Sequence, residues 1–356
     1  MRHRSHRRRR AAAAAIALST LAVSAPLVAY ASDGPSAAQH GSESATAAAP
    51  APSIERLFGA DRYETAAAVS ADVFEAGTIT AFVASGRDFP DALSAAPVSG
   101  LMNGPVLLTQ PGWLPPATAR EVAALKLDSV FVVGGPGAVS DTVLTQLDPL
   151  TAEGSFRMGG RNRYETAATM ASWLKLEFPH VVYLASGDDY PDALTGAAAA
   201  GSAHDPVLLT GRDTLPVETA AALKRFAPST VVALGGTGAV SDAVLDRAAA
   251  ATGTQTGTDR FAGSTRYDTA VEVSRNTFAA GVPVVYIASG ESFADALAGA
   301  AAGGSLGGPV LLTPPEEMPA SAITELTRLA PARVIVLGGP TVVSETVVTQ
   351  IEDALL

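Results

Sequence analysis

The sequence contains no cysteine among its 356 residues, so it forms no disulfide and offers no thiolate as a nucleophile or metal ligand. Charged residues make up 17% and hydrophobic residues 47% of the chain. This composition excludes a disordered protein, which typically has low hydrophobicity and high net charge. Beyond the first ten residues, histidine occurs only at His40, His180 and His204. The motif H-E-x-x-H is absent. The sequence therefore offers few groups for hydrolase catalysis, although it does not exclude a pair of carboxylates for glycoside hydrolysis.

Basic residues are also scarce, except at the N-terminus. Six arginines lie within the first ten residues, and the apolar stretch 11–23 and Ala29-Tyr30-Ala31 follow them. A basic head, a short apolar run and a small-x-small site predict a secretory signal peptide over 1–31. The apolar run is shorter than the ~20 residues that a membrane span needs. We therefore expect a secreted protein of the cell wall or surface, without a membrane span after cleavage.

The next segment, 32–53, consists mostly of Ala, Ser, Gly and Pro, which is typical of a flexible linker. Without the six leading arginines, 18 basic residues stand against 35 acidic ones. So acidic a chain is a poor partner for nucleic acid, whose binding needs a basic surface.

One pattern occurs three times at offsets of 101 and 103 residues. It consists of an R-Y-[ED]-T-A motif, an S-G pair, a D-A-L motif, a P-V-L-L-T run and a G-G pair. Repeats of this length are small domains rather than solenoid units. We predict three modules, over 54–154, 155–257 and 258–356.

Within each copy, short apolar segments rich in β-branched residues alternate with helix-length segments rich in Ala and Leu. In the first copy the predicted strands are 78–84, 106–109 and 130–133, and the predicted helices include 92–101 and 116–125. Strands that are apolar throughout indicate a parallel sheet covered on both faces. The predicted fold is α/β, with three tandem Rossmann-like or Toprim-like modules.

Two of the repeated features are better explained by architecture than by ligand binding. Each G-G pair precedes a Ser and an acidic residue, which predicts a helix N-cap and a first-turn carboxylate rather than a phosphate loop. The P-V-L-L-T runs predict buried strands, although the final threonine of each could face a crevice. These threonines are Thr109, Thr210 and Thr313.

The S-G and D-A-L motifs lie in a loop between a strand and a helix, where parallel α/β sheets bind ligands. The candidate residues there are Ser85 and Asp91, Ser186 and Asp192, and Ser289 and Asp295. An aspartate at this place can equally cap its helix, and the sequence leaves both interpretations open.

The R-Y motif carries the most functional information. The chain after the predicted leader has fifteen arginines, and six of them repeat: Arg56 with Arg62, Arg157 with Arg163, and Arg260 with Arg266. For the first arginine of each pair we favour a structural role. For the second, beside Tyr63, Tyr164 or Tyr267, we favour contact with a phosphate, carboxylate or sugar. An ion pair with a neighbouring carboxylate is the structural alternative.

Taken in order, the motifs R-x-x-G-x-x-R-Y-[ED]-T-A, S-G, D-A-L, P-V-L-L-T and G-G-x-x-x-V-S resemble the cell wall binding repeat 2 family. The resemblance spans all three copies. It implies a Gram-positive surface protein whose three modules pack in a pseudo-threefold triangle. It also implies non-covalent attachment to an anionic wall polysaccharide, with the P-V-L-L-T motif associated with that attachment, and often a separate effector domain.

The expected function is therefore non-catalytic attachment to an anionic, teichoic-acid-like wall glycopolymer, with no cofactor and no metal. Three weak sites on one body would gain from their effective concentration. The alternatives are an exported, amidase-like wall hydrolase, or a surface-layer protein that interacts with other exported proteins.

Overall fold

The computed structural model describes residues 51–174 and 179–355. The predicted signal peptide and nearly all of the predicted linker lie outside these residues. The described part contains twelve strands and twelve α-helices in regular alternation. The first group is β1 (Ser53–Leu57), α1 (Arg62–Val73), β2 (Thr80–Ser85), α2 (Pro90–Met102), β3 (Val106–Thr109), α3 (Pro116–Leu125), β4 (Ser129–Val133) and α4 (Asp141–Leu147).

Two further groups repeat this order. The second is β5 (Gly154–Met158), α5 (Arg163–Trp173), β6 (Val181–Ser186), α6 (Pro191–Ala203), β7 (Val207–Thr210), α7 (Val217–Phe226), β8 (Thr230–Leu234) and α8 (Asp242–Ala251). The third is β9 (Gly257–Phe261), α9 (Arg266–Thr277), β10 (Val284–Ser289), α10 (Phe293–Leu306), β11 (Val310–Thr313), α11 (Ala320–Leu329), β12 (Arg333–Leu337) and α12 (Glu345–Leu355). We call these groups modules 1, 2 and 3.

Each module contributes to a four-stranded parallel sheet that it does not complete by itself. The strand orders are β3-β2-β4-β5, β7-β6-β8-β9 and β11-β10-β12-β1. The fourth strand of every sheet therefore comes from the next module, and β1 returns to complete the sheet of module 3. In that closing pair Ser53 lies opposite Arg333 and Leu57 opposite Leu337. The exchange joins the modules in a closed cycle.

The P-V-L-L-T runs form β3, β7 and β11, and all four residues of each strand are buried. The prediction of buried core strands is confirmed. The motif that the resemblance associates with attachment thus lies in the interior of the sheets. Its side chains pack within the fold and do not reach the surface.

Three helices, α2, α6 and α10, pack against one another at the centre of the cycle. They are rich in Ala and Gly and almost entirely buried, as expected of a helix that is apolar on all sides. Glycines let their backbones approach closely. A Cβ on Gly100 would lie 2.7 Å from the carbonyl oxygen of Gly201, and one on Gly201 would lie 2.8 Å from Cα of Gly304. The predicted parallel α/β modules and their pseudo-threefold packing are confirmed.

Candidate functional site

The R-Y motifs begin helices α1, α5 and α9. Each arginine reaches the loop that follows the second strand of its own module, where its guanidinium donates to the carbonyl of the S-G glycine. The acceptors are Gly86 at 2.5 Å from Arg62, Gly187 for Arg163, and Gly290 at 2.7 Å from Arg266. All three arginines are half-buried, so they are neither sequestered in the core nor free at the surface.

The tyrosine of each motif packs its ring against the same glycine. A Cβ on Gly86 would lie 2.7 Å from Cε1 of Tyr63. The corresponding distances are 2.9 Å for Gly187 and Tyr164, and 2.6 Å for Gly290 and Tyr267. No side chain fits between ring and backbone, which explains the glycine. Arginine, tyrosine and glycine therefore form one local structure.

The serine of each S-G pair is buried and shapes the loop. The Ser85 hydroxyl accepts from the amide of Arg87 at 3.2 Å, and that of Ser289 accepts from Glu291 at 3.1 Å. The Ser186 hydroxyl accepts from Asp188 and Asp189 at 3.1 and 3.2 Å. These serines position the loop that carries the acidic side chains.

The aspartates of the D-A-L motifs are brought to the seams, which we define as the boundaries 1/2, 2/3 and 3/1 between consecutive modules. Each carboxylate faces the threonine and arginine of the R-Y-[ED]-T motif of the following module. The three groups are Asp91 with Thr166 and Arg163, Asp192 with Thr269 and Arg266, and Asp295 with Thr65 and Arg62. Burial raises the pKa of all three carboxyls, while the threonine hydroxyl and the arginine act against the rise.

The same carboxylates explain the G-G pairs. The first glycine of each pair has positive φ, at +106° for Gly134, +89° for Gly235 and +97° for Gly338. A Cβ there would run into the carboxylate of Asp91, Asp192 or Asp295 respectively. The alternative that these aspartates are N-caps is wrong, because the N-cap residues are Phe89, Tyr190 and Ser292 and the aspartates lie inside the first turn.

The first arginine of each repeated pair fastens the G-G loop of the preceding module. Arg157 donates to the Gly134 carbonyl at 2.8 Å and pairs with Asp141 at 2.8 Å. Arg260 binds Gly235 and Asp242 in the same way, and Arg56 binds Gly338 and Glu345. These contacts agree with a structural role, but the partner is the acid beginning α4, α8 or α12 rather than the acid of the R-Y motif or the loop aspartate.

The serines that precede these acids confirm the predicted N-caps in part. Ser140 and Ser241 occupy N-cap positions, yet only Ser241 accepts from a helix amide, that of Val244 at 3.3 Å. The hydroxyls of Ser140 and Ser344 are buried without a hydrogen-bond partner among the described residues.

The strand-end threonines do not face a crevice. Thr109, Thr210 and Thr313 have no exposed surface, and their hydroxyls donate to carbonyls of the turns that follow. The prediction that they contact a ligand is therefore corrected: burial withdraws them from the surface.

An aromatic cluster that the sequence analysis missed lies where the three central helices begin. Phe89, Tyr190 and Phe293 occupy equivalent positions, and their ring centroids are 5.7–6.2 Å apart. The Arg62 guanidinium lies 5.5 Å from the Phe293 centroid, and the Tyr190 hydroxyl donates to Gly290 at 3.1 Å. The signal was an aromatic residue two places before the aspartate of each D-A-L motif.

Open clefts lie at two of the seams, at the carboxyl ends of the strands. The cleft at seam 1/2 has a volume of about 240 Å³ and that at seam 2/3 about 550 Å³. Both are lined by the D-A-L aspartate, the G-G loop and the R-Y-[ED]-T segment. The tyrosines do not line either cleft. The structure thus unites the arginines and aspartates that the sequence singled out, but it does so across module boundaries.

These clefts combine guanidinium and carboxylate groups at a half-exposed surface. Guanidinium binds phosphate or carboxylate oxygens, and carboxylates accept hydrogen bonds from hydroxyl groups. Within the described residues no group of three or more acidic or histidine side chains is arranged to hold a metal ion. No helix in that part of the chain has the length and apolarity to cross a membrane.

Comparisons with known proteins identify the family of the three modules. The family model "Cell wall binding domain 2 (CWB2)" matches at residues 56–144, 157–245 and 260–348. The chain is 28% identical over 304 residues to the N-acetylmuramoyl-L-alanine amidase LytC of Bacillus subtilis, covering 85% of this chain and 59% of the amidase. It is 30% identical over 269 residues to the amidase enhancer of the same organism, covering 75% of this chain and 36% of that protein.

Two solved structures share the fold. Cwp6 from Clostridium difficile superposes with a TM-score of 0.79 at 24% identity, covering 86% of this chain and 48% of Cwp6. Cwp8 from the same organism superposes with a TM-score of 0.75 at 25% identity, covering 85% of this chain and 51% of Cwp8. The chain therefore spans between about a third and three fifths of these relatives.

Proposed function

The chain belongs to the cell wall binding domain 2 family, and from this membership we propose that it attaches without catalysis to an anionic glycopolymer of the cell wall, through the seam clefts. The observation that carries the proposal is the meeting of arginine and aspartate from successive modules in an open cleft at the carboxyl ends of parallel strands. Ligands of parallel α/β sheets bind at this end.

The mixed charge of the clefts supports a phosphorylated sugar polymer better than a simple polyanion. A phosphodiester presents oxygens to Arg163 or Arg266, and the sugar hydroxyls can donate to nearby carboxylates. The chain carries a formal net charge of −11, so long-range attraction to a polyanion is unfavourable. Attachment would then depend on local contacts repeated along the molecule, strengthened by their effective concentration.

Sedimentation with purified cell walls tests the proposal. We expect the full chain to sediment with intact walls and to remain in solution after acid removes the phosphodiester-linked polymers. Undiminished binding to stripped walls would overturn the assignment and favour peptidoglycan or a protein partner.

Substitution of the seam arginines tests the clefts themselves. Because each guanidinium also binds a loop carbonyl, alanine would disturb the seam, so we choose the variant with Arg62→Lys, Arg163→Lys and Arg266→Lys. Lysine keeps the positive charge. Its ammonium lacks the planar guanidinium that can donate to the loop carbonyl and to a ligand at the same time. We expect wall affinity to fall about tenfold, a loss of ~1.4 kcal/mol, with unchanged circular dichroism. A control variant with lysine at Arg120 and Arg225, which are exposed, should bind normally.

The match to an amidase supports one alternative, a wall hydrolase. The family model accounts for all three modules of this chain, so the match does not by itself show the reaction. Loss of turbidity of purified walls, incubated with the full chain, would favour the enzyme.

A further inference from the structure

The three seams differ at the few positions where the repeats diverge. The residue two places before the motif arginine is Ala60, Arg161 or Ser264. Two places earlier still stand Phe58, Gly159 and Ala262. In the loop just after the P-V-L-L-T strand, the equivalent residues are Pro111, Arg212 and Pro315. Each set is given in the order of the repeats.

The side chains at these positions are arranged differently at the three seams. At seam 3/1 the Phe58 ring lies against the G-G loop, since a Cβ on Gly339 would be 3.3 Å from its Cδ2. At seam 1/2 the Arg161 side chain lines the cleft and its Nε binds Glu165 at 2.9 Å. At seam 2/3 the equivalent residues are Ala262 and Ser264, and the cleft is more than twice as large as at seam 1/2.

The arginines are also arranged differently. At seam 1/2, Arg161 and Arg163 belong to one loop and hence to one wall. At seam 2/3, Arg266 comes from module 3, whereas Arg212 comes from the loop after β7 in module 2. Arg212 pairs with its neighbour Asp213 at 3.1 Å, but both side chains are more than 60% exposed, and such pairs contribute little. Its guanidinium is therefore available to a ligand.

We infer that the cleft at seam 2/3 is the principal ligand site, and that it takes a phosphorylated sugar with the phosphate between Arg212 and Arg266. This assignment rests on the proposed function. The exposed Asp188 and Asp189 line the same cleft and accept from the sugar hydroxyls. A site of 550 Å³ has room for a sugar phosphate, whereas pockets for small molecules begin at ~300 Å³, above the volume at seam 1/2.

The test is a titration of the full chain with α-D-glucose 1-phosphate, followed by amide chemical shifts in NMR. We expect the shifts to concentrate in the loops of seam 2/3. Arg212→Ala should weaken the affinity about five- to tenfold, because it removes one charge-assisted contact. Arg225→Ala removes the same charge from an exposed position outside the cleft and should change the affinity less than twofold.

A second variant tests the room rather than the charge. Ala262→Phe copies the residue of seam 3/1 into seam 2/3 and should weaken binding at least fivefold with unchanged circular dichroism. The inference is overturned if Arg212→Ala binds like Arg225→Ala, or if the shifts of the parent protein avoid seam 2/3. Either result leaves the proposed function standing as long as the parent protein still loses its wall binding when the walls are stripped.

Discussion

The seams and the outer faces of the modules follow different rules. At each seam the same arginine, threonine, aspartate and glycine meet, and the aspartate contacts the following module in all three cases. On the outer face, between the first and third helix of each module, the equivalent buried pairs differ. They are Ser70 with Glu121, Ala171 with Ala222, and Ser274 with Glu325.

This difference shows where the geometry is restrictive. At the seams, backbone atoms of two modules approach so closely that many positions admit only glycine, and the polar groups satisfy one another across the boundary. On the outer face, one module replaces a serine–carboxylate pair by two alanines without a change of fold. The contacts at the seams therefore determine how the modules pack in a cycle. The outer layers tolerate different side chains as long as these fill the available volume.

The largest effect is expected at the central helices. Gly201→Val places a branched side chain where a Cβ alone would lie 2.8 Å from Gly304 Cα, so two helices must separate. We expect a loss of at least about 3 kcal/mol in the free energy of unfolding, the upper range for overpacking. Gly112→Ala is the matched control, because a Cβ there meets nothing within 4 Å. Equal urea midpoints for the two variants would contradict the conclusion that the close packing of the central helices requires glycine at position 201.

Removal of a polar contact at a seam should lower the free energy of unfolding somewhat less than Gly201→Val does. The Thr269 hydroxyl accepts from the Gly263 amide at 3.1 Å and faces Asp192 of the preceding module. Thr269→Val keeps the shape but leaves the amide and carboxylate without this partner, so we expect a loss of about 2 kcal/mol. Urea unfolding of this variant is compared with Ser70→Ala on the outer face, which also removes one hydroxyl from a buried carboxylate. A smaller loss at the seam than at Ser70 would reverse the comparison.

Much of this architecture could be predicted from the sequence. The predicted strands 106–109 and 130–133 agree with β3 and nearly with β4, and the predicted helix 116–125 agrees with α3. Hydrophobic periodicity and the turn residues between segments determine these elements, and the constant offset of the motifs reveals the modules. The buried P-V-L-L-T strands followed from their unbroken apolar character.

The seams could not be predicted in this way. Nothing local indicates that β5 completes the sheet of module 1, or that Asp91 faces Thr166 of the next module. Three identical motifs give the same pattern whether they contact within or between copies, so the choice depends on tertiary packing alone. The strand-end threonines were misassigned for a related reason: the sequence places them at the ligand-binding end of the sheet, but only the structure shows that the next turn covers them.

The outer faces themselves offer a matched pair. Glu325 is fully buried and bound by Ser274, Arg275 and Arg328, whereas Glu121 has Ser70 as its partner. Burial acts to raise the pKa of both carboxyls, but the arginines reverse this for Glu325, whose pKa is lowered, while that of Glu121 is raised.

We expect Glu325→Gln to cost about 1–2 kcal/mol at pH 7, since it removes the buried carboxylate that two half-exposed arginines share. Glu121→Gln should leave the free energy of unfolding nearly unchanged or raise it slightly, because it removes an ionised group from a site that disfavours charge. Thermal or urea unfolding at pH 7 measures both. A larger loss at Glu121 would mean that the outer faces are as restrictive as the seams.

The smallest effect concerns a departure of module 2 at the opposite end of the sheet from the clefts. Asp205, before β7, stands where modules 1 and 3 have Gly104 and Gly308. Burial raises its pKa from 3.8 to about 6, and nearby His180 acts against the rise. Because the folded state holds the proton more tightly than the unfolded state, this group contributes less stability as the pH rises from about 4 through 6, and a constant amount above.

The parent protein should therefore gain a few degrees in melting temperature between pH 7 and pH 5, and Asp205→Asn should reduce that gain. It should not abolish it, since the seam aspartates and Glu121 also have raised pKa values and respond in the same direction. A pH dependence that is the same in parent and variant would show that the carboxyl of Asp205 is already well solvated, and that departures from the repeat at this end of the sheet carry no electrostatic cost.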